Sequence, residues 1–355
     1  MSATDSPGKT IYPVTYIRAN GTVLPTNPNL LTTGIHVLNN RIDGGYYGLY
    51  FNNVTDSQIK GNLFTNNTRN LSMQNNTQRN KIEDNVLNNA TTGIVFGYNA
   101  SGNQVKNNVI TKNGNKSGQA AIIIDQGSKN NVISNNFIES GDSARQWLLY
   151  SGSDSSGTQF VDNVISGKFT KSGIGVEAVW DRDSSGNEAP SYVYKFPTHF
   201  NGGVGSVNGI KIAGNIIAPD LSSIERTTDK DKLPVLYVGA DTSKGYNSLH
   251  QNGTYKYPTQ HIVGNVDLTS EDNNVLGISG TNYSKVIQKH EAGGALVNGG
   301  TQIEGFATSG TQYVKNDIAY STVDTTLDKT DHVILLGNGA TKAKGNSNNN
   351  YLRGT

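Results

Sequence analysis

A six-residue motif built on asparagine constrains this chain more than any other feature. An apolar residue is followed by two variable residues, an asparagine and two mostly apolar residues. It reads Val37-Leu-Asn-Asn40-Arg-Ile42, Ile59-Lys-Gly-Asn62-Leu-Phe64, Ile82-Glu-Asp-Asn85-Val-Leu87 and Val105-Lys-Asn-Asn108-Val-Ile110. It continues at Ile133-Ser-Asn-Asn136-Phe-Ile138 and Phe160-Val-Asp-Asn163-Val-Ile165, and returns at Ile212-Ala-Gly-Asn215-Ile-Ile217 and Ile262-Val-Gly-Asn265-Val266. The asparagines lie 22, 23, 23, 28, 27, 52 and 50 residues apart. A period of this size marks a solenoid, in which each repeat buries its apolar face against the next. Nine residues after Asn40, Asn62 and Asn85 an apolar-x-apolar triplet begins: Leu49 to Phe51, Leu71 to Met73 and Ile94 to Phe96. Ile122 to Ile124 and Leu148 to Tyr150 repeat the pattern in longer turns.

Short runs of period two, separated by Asn- and Gly-rich corners, are strands. Two or three of them per 22 to 28 residues fit one coil of an all-β, right-handed parallel β-helix. The asparagine column is then expected at a tight corner, where Asn tolerates left-handed geometry and its amide bonds to the Asn one coil above and below. A leucine-rich repeat needs a helix per turn, and no helical stretch is visible. The Asn-x-Thr triplets at Asn53, Asn66 and Asn75 read as part of the same scaffold. A single elongated domain is expected: a flank and cap over 1–30, coils over 31–285, and further coils or capping strands over 286–355. In the last part Gly293 to Val297, Thr311 to Val314 and His332 to Leu336 read as strands that extend or cap the coils. The tail 345–350 reads as loose.

Composition agrees. The chain has 355 residues with 45 asparagines and 41 glycines, poor helix formers that turn the backbone often. The 29 basic residues balance 28 acidic ones, so no field for nucleic acid is written into the chain. Cysteine is absent, which excludes a disulfide scaffold, a thiolate metal site and a cysteine nucleophile. No stretch approaches 18 apolar residues, so no membrane insertion is expected. The start Met1 to Ser6 lacks the features of a signal peptide and reads as a cut from a longer protein.

Residues with chemistry to offer gather where the coil lengthens, at 112–118, 141–147, 166–211 and 218–261. Aromatics beside Arg and Lys suit sugars, which offer C–H faces and polar edges. The candidate ligand-binding residues are therefore Arg145, Trp147, Trp180, Arg182, Tyr194, Lys195 and Arg226, along the flank formed by 141–147 and 176–200. Were the protein a glycosidase or lyase, Glu177, Asp181, Arg182, Asp125 and Asp154 have the required side chains. Asp125 and Asp154 end equivalent strands, a placement that suits paired carboxylates. No cofactor is expected. The weak calcium candidate is Asp181 with Asp183, where Gly186 falls at the sixth position but Tyr192 stands at the twelfth, which demands an acid.

On its Asn-ladder residues the chain resembles the pectate-lyase-like superfamily of right-handed β-helices over about residues 31 to 285. That superfamily spans lyases, hydrolases, epimerases, fructan transferases, phage tailspikes and adhesins, so fold does not choose among them. The Gly-Asp-Gly and Asp-Pro-His segments of several of its enzymes are absent. Within it the chain looks like the binding region of a serine-rich repeat adhesin of lactobacilli, with Ser2 to Ser6 as the end of a Ser-rich flank. The resemblance implies a monomeric, non-catalytic protein on the surface of a Gram-positive bacterium that binds polysaccharide or glycoprotein glycans, pectin-like polyuronates among them. With such a ligand, protonation of acids near the groove is expected to strengthen binding at low pH.

Overall fold

In a computed structural model the chain is described over 31–113, 120–140, 145–152, 155–178 and 209–219, and then over shorter stretches up to 353. The described elements are all strands, and most of them stack into three parallel sheets. The first sheet takes His36–Leu38, Gln58–Lys60, Lys81–Glu83, Gln104–Lys106, Val132–Ser134, Gln159–Val161, Ile210–Ala213 and Gln260–Val263. The second takes Arg41–Asp43, Leu63–Thr65, Val86–Asn88, Val109–Asn113, Phe137–Ser140, Val164–Gly167, Ile216–Pro219 and Val266–Asp267. The third takes Tyr47–Asn52, Arg69–Gln74, Thr92–Phe96, Ile122–Ile124, Arg145–Ser151, Phe169–Ala178, Leu236–Ala240 and Leu276–Ser279. The chain visits the sheets in that order, once per coil. The fold is a parallel β-helix.

Each strand of the first two sheets turns its middle residue inward, so like side chains stack along the axis. Ile59, Ile82, Val105, Ile133 and Phe160 form one column, and Phe64, Leu87, Ile110, Ile138 and Ile165 a second. The third sheet supplies two more, Leu49 to Ile174 and Phe51 to Val176. These side chains are fully covered, and each except Ser151, the polar member of the last column, contributes about 1.5–3 kcal/mol by leaving water.

The asparagine column lies between the first and second sheets. Asn62 Nδ2 donates to Asn85 Oδ1 (2.9 Å), Asn85 to Asn108 (2.9 Å), Asn108 to Asn136 (3.0 Å) and Asn136 to Asn163 (2.9 Å). Asn163 donates to Asn215 (3.0 Å) and Asn215 to Asn265 (2.8 Å), so the column crosses both long repeats. The left-handed geometry expected of these residues belongs to their predecessors. Asn39, Gly61, Asp84, Asn107, Asn135, Asp162 and Gly214 have φ between 53° and 68°. The division has a physical reason: the left-handed residue reverses the chain, which leaves the next side chain pointing inward, where its amide meets the adjacent coils.

A second amide column stands five residues ahead of the first. Asn80 Nδ2 donates to Asn103 Oδ1 (2.9 Å) and Asn103 to Asn131 (3.1 Å), while Ser57 donates its backbone N–H to Asn80 Oδ1 (3.0 Å). Here too the preceding residue is left-handed, at Asp56, Arg79, Gly102 and Asn130.

The long repeats are single long coils. The stretch 166–211 contains the ten-residue strand Phe169–Ala178, and 218–261 contains Leu236–Ala240, both in the third sheet. First-sheet and second-sheet strands extend to Thr301–Glu304 and Ala307–Thr308, beyond residue 285. After them comes a separate four-stranded sheet of Gln312–Lys315, Ile318–Ser321, His332–Leu335 and Tyr351–Arg353. This sheet covers a side of the helix rather than its end. Tyr320 and Leu336 pack with Phe137, Ile216 and Ala218 on the outer face of the second sheet. Lys315 Nζ donates to Asp162 Oδ1 (2.8 Å) and the Gly214 carbonyl (3.2 Å), and the Arg353 guanidinium lies 3.7 Å from the Phe137 ring centroid. The stretch 345–350, expected to be loose, is instead tied into a turn. Asn346 N–H donates to Asn350 Oδ1 (2.7 Å), and Asn350 Nδ2 donates back to Asn346 Oδ1 (2.8 Å).

Candidate functional site

Connection lengths single out one face. Among the described strands the corner between the first and second sheets is always two residues, as in Gly61-Asn62, Asp162-Asn163 and Gly214-Asn215. A ladder that must bond coil to coil leaves no slack there. The long connections, from Ala178 to Ile210, Pro219 to Leu236 and Ala240 to Gln260, all join the third sheet to a neighbour. Its two edges therefore carry the added chain, the arrangement by which solenoids border a binding face.

The outer face of that sheet follows from its alternation. With Leu49 and Phe51 inward, Tyr50 points outward, and the register continues through Ser72, Val95, Ile123, Tyr150 and Gly175. Beside this row, Gly97 lies between two amides: a Cβ there would meet Gln74 Oε1 at 2.9 Å and Gln126 Oε1 at 3.0 Å. At the amino-terminal end three tyrosines cluster. The rings of Tyr46 and Tyr47 are 4.7 Å apart at 85°, and those of Tyr47 and Tyr50 are 5.0 Å apart at 51°. The Arg69 guanidinium sits 5.9 Å from the Tyr47 ring centroid, and Tyr46 is 62% exposed. Gly48 makes room for this, since a Cβ would lie 2.6 Å from the Asn70 carbonyl and 2.9 Å from Phe64.

The structure separates the sequence-derived candidates. Trp147 is 2% exposed; it packs on Tyr150 at 4.5 Å, clusters with Ala120 and Ile123, and lies against Gly175. A ring so covered presents no stacking face, so the structure corrects its expected role to packing. Asp125 does end its strand, but its Oδ1 accepts the Gln126 N–H (2.8 Å) and its carbonyl accepts that of Ser128 (3.2 Å), the bonding of a turn residue. Arg145 and Glu177 both fall in third-sheet strands, paired with Phe169 and Gly239 respectively. Asp154, Trp180, Asp181, Arg182, Asp183, Tyr194, Lys195 and Arg226 lie outside the described residues. Sequence reasoning passed over Tyr46, Tyr47, Tyr50 and Arg69 because they lie in the regular coils. The available signal was three tyrosines within five residues.

Residues 29–188 match a protein family described as periplasmic copper-binding protein (NosD). No curated protein matches the sequence. Among solved structures, the chain is similar to the A-module of mannuronan C-5 epimerase AlgE6 from Azotobacter vinelandii at 13% identity and a TM-score of 0.49, over 79% of this chain and 59% of that one. It therefore spans about three fifths of that module. It is also similar to the AlgE4 A-module of the same organism (12%, TM-score 0.45, 70% of this chain and 55% of that) and to alginate lyase from Paenibacillus sp. str. FPU-7 (15%, TM-score 0.44, 68% and 72%).

Among its described residues the matched segment does not fit copper. Its imidazole and thioether donors are His36 and Met73 alone. His36 is exposed on the first sheet, whereas Met73 is fully buried in the third-sheet core column, so one ion cannot reach both. Among the described residues no three His, Asp or Glu side chains are grouped to hold a metal.

Proposed function

We propose that the protein is a non-catalytic carbohydrate-binding adhesin that holds a polysaccharide along the outer face of its third sheet. The observation that supports this reading is the placement of the long connections at the two edges of that face. Eight parallel strands at a spacing of about 4.8 Å give it a length of roughly 34 Å, which suits a linear polymer. The partly exposed Tyr47, Tyr50, Arg69 and Gln126 on or beside it offer stacking surfaces and hydrogen-bond groups. The finer reading is a monomer displayed on a Gram-positive cell surface, with a polyuronate such as pectin or a host glycoprotein glycan as ligand. Arg182, Lys195 and Arg226 would add cationic partners from the bordering segments, and Arg145 one from a strand of the sheet itself.

A glycan array with the intact chain tests the reading, followed by incubation with polygalacturonate, alginate and fructans. Binding without unsaturated products or new reducing ends is the expected outcome. Turnover that is abolished by Glu177→Ala or Arg182→Ala would instead establish a polysaccharide-active enzyme.

A further inference from the structure

We propose that Tyr46, Tyr47, Tyr50 and Arg69 form a saccharide-stacking subsite, selective for a pyranose that bears a carboxylate. The inference rests on the carbohydrate-binding reading and locates one binding position within it.

The cluster is built rather than incidental. Tyr50 is set outward by the alternation that buries Leu49 and Phe51. Tyr47 is brought beside it because Gly48 closes onto the Asn70 carbonyl and the Phe64 ring, a contact that any side chain would obstruct. Tyr46 then meets Tyr47 edge to face and is itself 62% exposed at the surface. An exposed aromatic ring backed by a second is a rigid platform for the C–H face of a sugar, and the phenol hydroxyls supply the polar edge.

Charge favours an acidic sugar. Arg69 follows Tyr47 in register one coil on, and its guanidinium stands by the Tyr47 ring. A planar guanidinium stacked on an aromatic ring keeps its N–H fork available to a carboxylate. The acid nearest to the tyrosines in sequence is Asp43, and it is already engaged: Arg41 Nη2 donates to Asp43 Oδ2 (3.0 Å) and Asn66 Nδ2 to Asp43 Oδ1 (2.8 Å). Arg69 thus adds positive charge to a corner where Arg41 and Asp43 offset one another.

The test uses calorimetric titration of the whole chain with a galacturonate trimer, a neutral galactose trimer and a polyproline decapeptide, backed by polygalacturonate binding. Tyr46→Ala is expected to weaken both trimers about tenfold, the loss of one stacked ring. Arg69→Gln is expected to remove the preference for the acidic trimer and leave neutral affinity in place. Both substitutions are at the surface, and an unchanged melting temperature checks the fold. Wild-type affinity for both trimers in both variants, with polygalacturonate still bound, overturns the subsite and leaves the wider reading standing. Failure of the wild-type chain to bind any saccharide overturns both. Binding of the decapeptide in place of the trimers assigns the tyrosines to peptide recognition and overturns the proposal.

Discussion

A buried asparagine in this fold is a connector with no spare bonds. Asn108 Oδ1 accepts the backbone N–H and the side-chain amide of Asn85, both at 2.9 Å. Its own Nδ2 donates to the Ile82 carbonyl (2.8 Å), the Lys106 carbonyl (3.0 Å) and Asn136 Oδ1. Asn108→Leu keeps the volume but strands donors and acceptors in the core on both adjacent coils. A loss of about 2–5 kcal/mol is expected in urea unfolding, together with faster hydrogen exchange at the Asn85 amide. Asn40→Leu, at the exposed end of the column, should cost under about 1 kcal/mol in the same measurement.

Exposed charges act differently. Hydrogen bonds from Asn66 and Arg41 hold the Asp43 carboxyl below its ordinary value, and hydrogen bonds from Arg79 and Thr55 do the same for Asp56. Ionised forms are favoured by the fold, so their contribution is full above about pH 4 and fades as the pH falls below it. NMR titration should place both midpoints under 3.8, the ordinary value, and Arg79→Gln should return Asp56 towards it. It follows that Asp43 stays ionised in mild acid. Any strengthening of polyuronate binding on mild acidification must come from other acids.

At the scale of elements, the third sheet shows how a glycine fixes a neighbour's aromatic ring. Gly175 pairs with Tyr150, and a Cβ on it would run into the Trp147 indole. Gly175→Ala should expel that ring, with a red shift of tryptophan emission and a loss of about 1–3 kcal/mol. Strand existence here was legible from the period-two triplets, but register was not. Leu148 to Tyr150 reads as an apolar-x-apolar triplet, whereas the strand aligns Leu149 and Ser151 with Ile122 and Ile124. Tyr150 consequently lies on the outer side, and Trp147 joins it there, packed with Ala120 and Ile123, because Leu148 and Leu149 both enter the core and break the alternation. A one-residue shift exchanges the two faces, and the apolar content of this strand is too high on both to decide between them. The tyrosine cluster has the same history. Tyr46, Tyr47 and Tyr50 are conspicuous as letters, but only the closure at Gly48 brings Tyr47 and Tyr50 to one side.

Across the whole molecule, the second apolar residue of the repeat finds its explanation. Val109, Phe137, Val164 and Ile216 follow the ladder asparagines and face outward, yet Phe137 and Ile216 are only 7% and 2% exposed. The sheet of 312–353 covers them. Val86, in the same column nearer the amino terminus, is 39% exposed. Removal of residues 312–355 should uncover the stripe, seen as increased binding of an apolar dye and loss of solubility, while the strand content of the coils persists.

The coil is written in the repeat. A fixed asparagine every 22 to 28 residues from Asn40 to Asn163, and then at steps of 52 and 50, with apolar residues at set distances, admits one kind of stacking, because each coil is bonded chiefly to the next. That locality is why the repeat could be read along the chain. Three matters emerged only from the folded chain: which residue of each corner turns left-handed, that Trp147 is covered, and that the last strands lie along the side of the helix. Each depends on contacts between segments distant in sequence, such as Lys315 with Asp162 and Arg353 with Phe137, for which no period in the chain provides a signal.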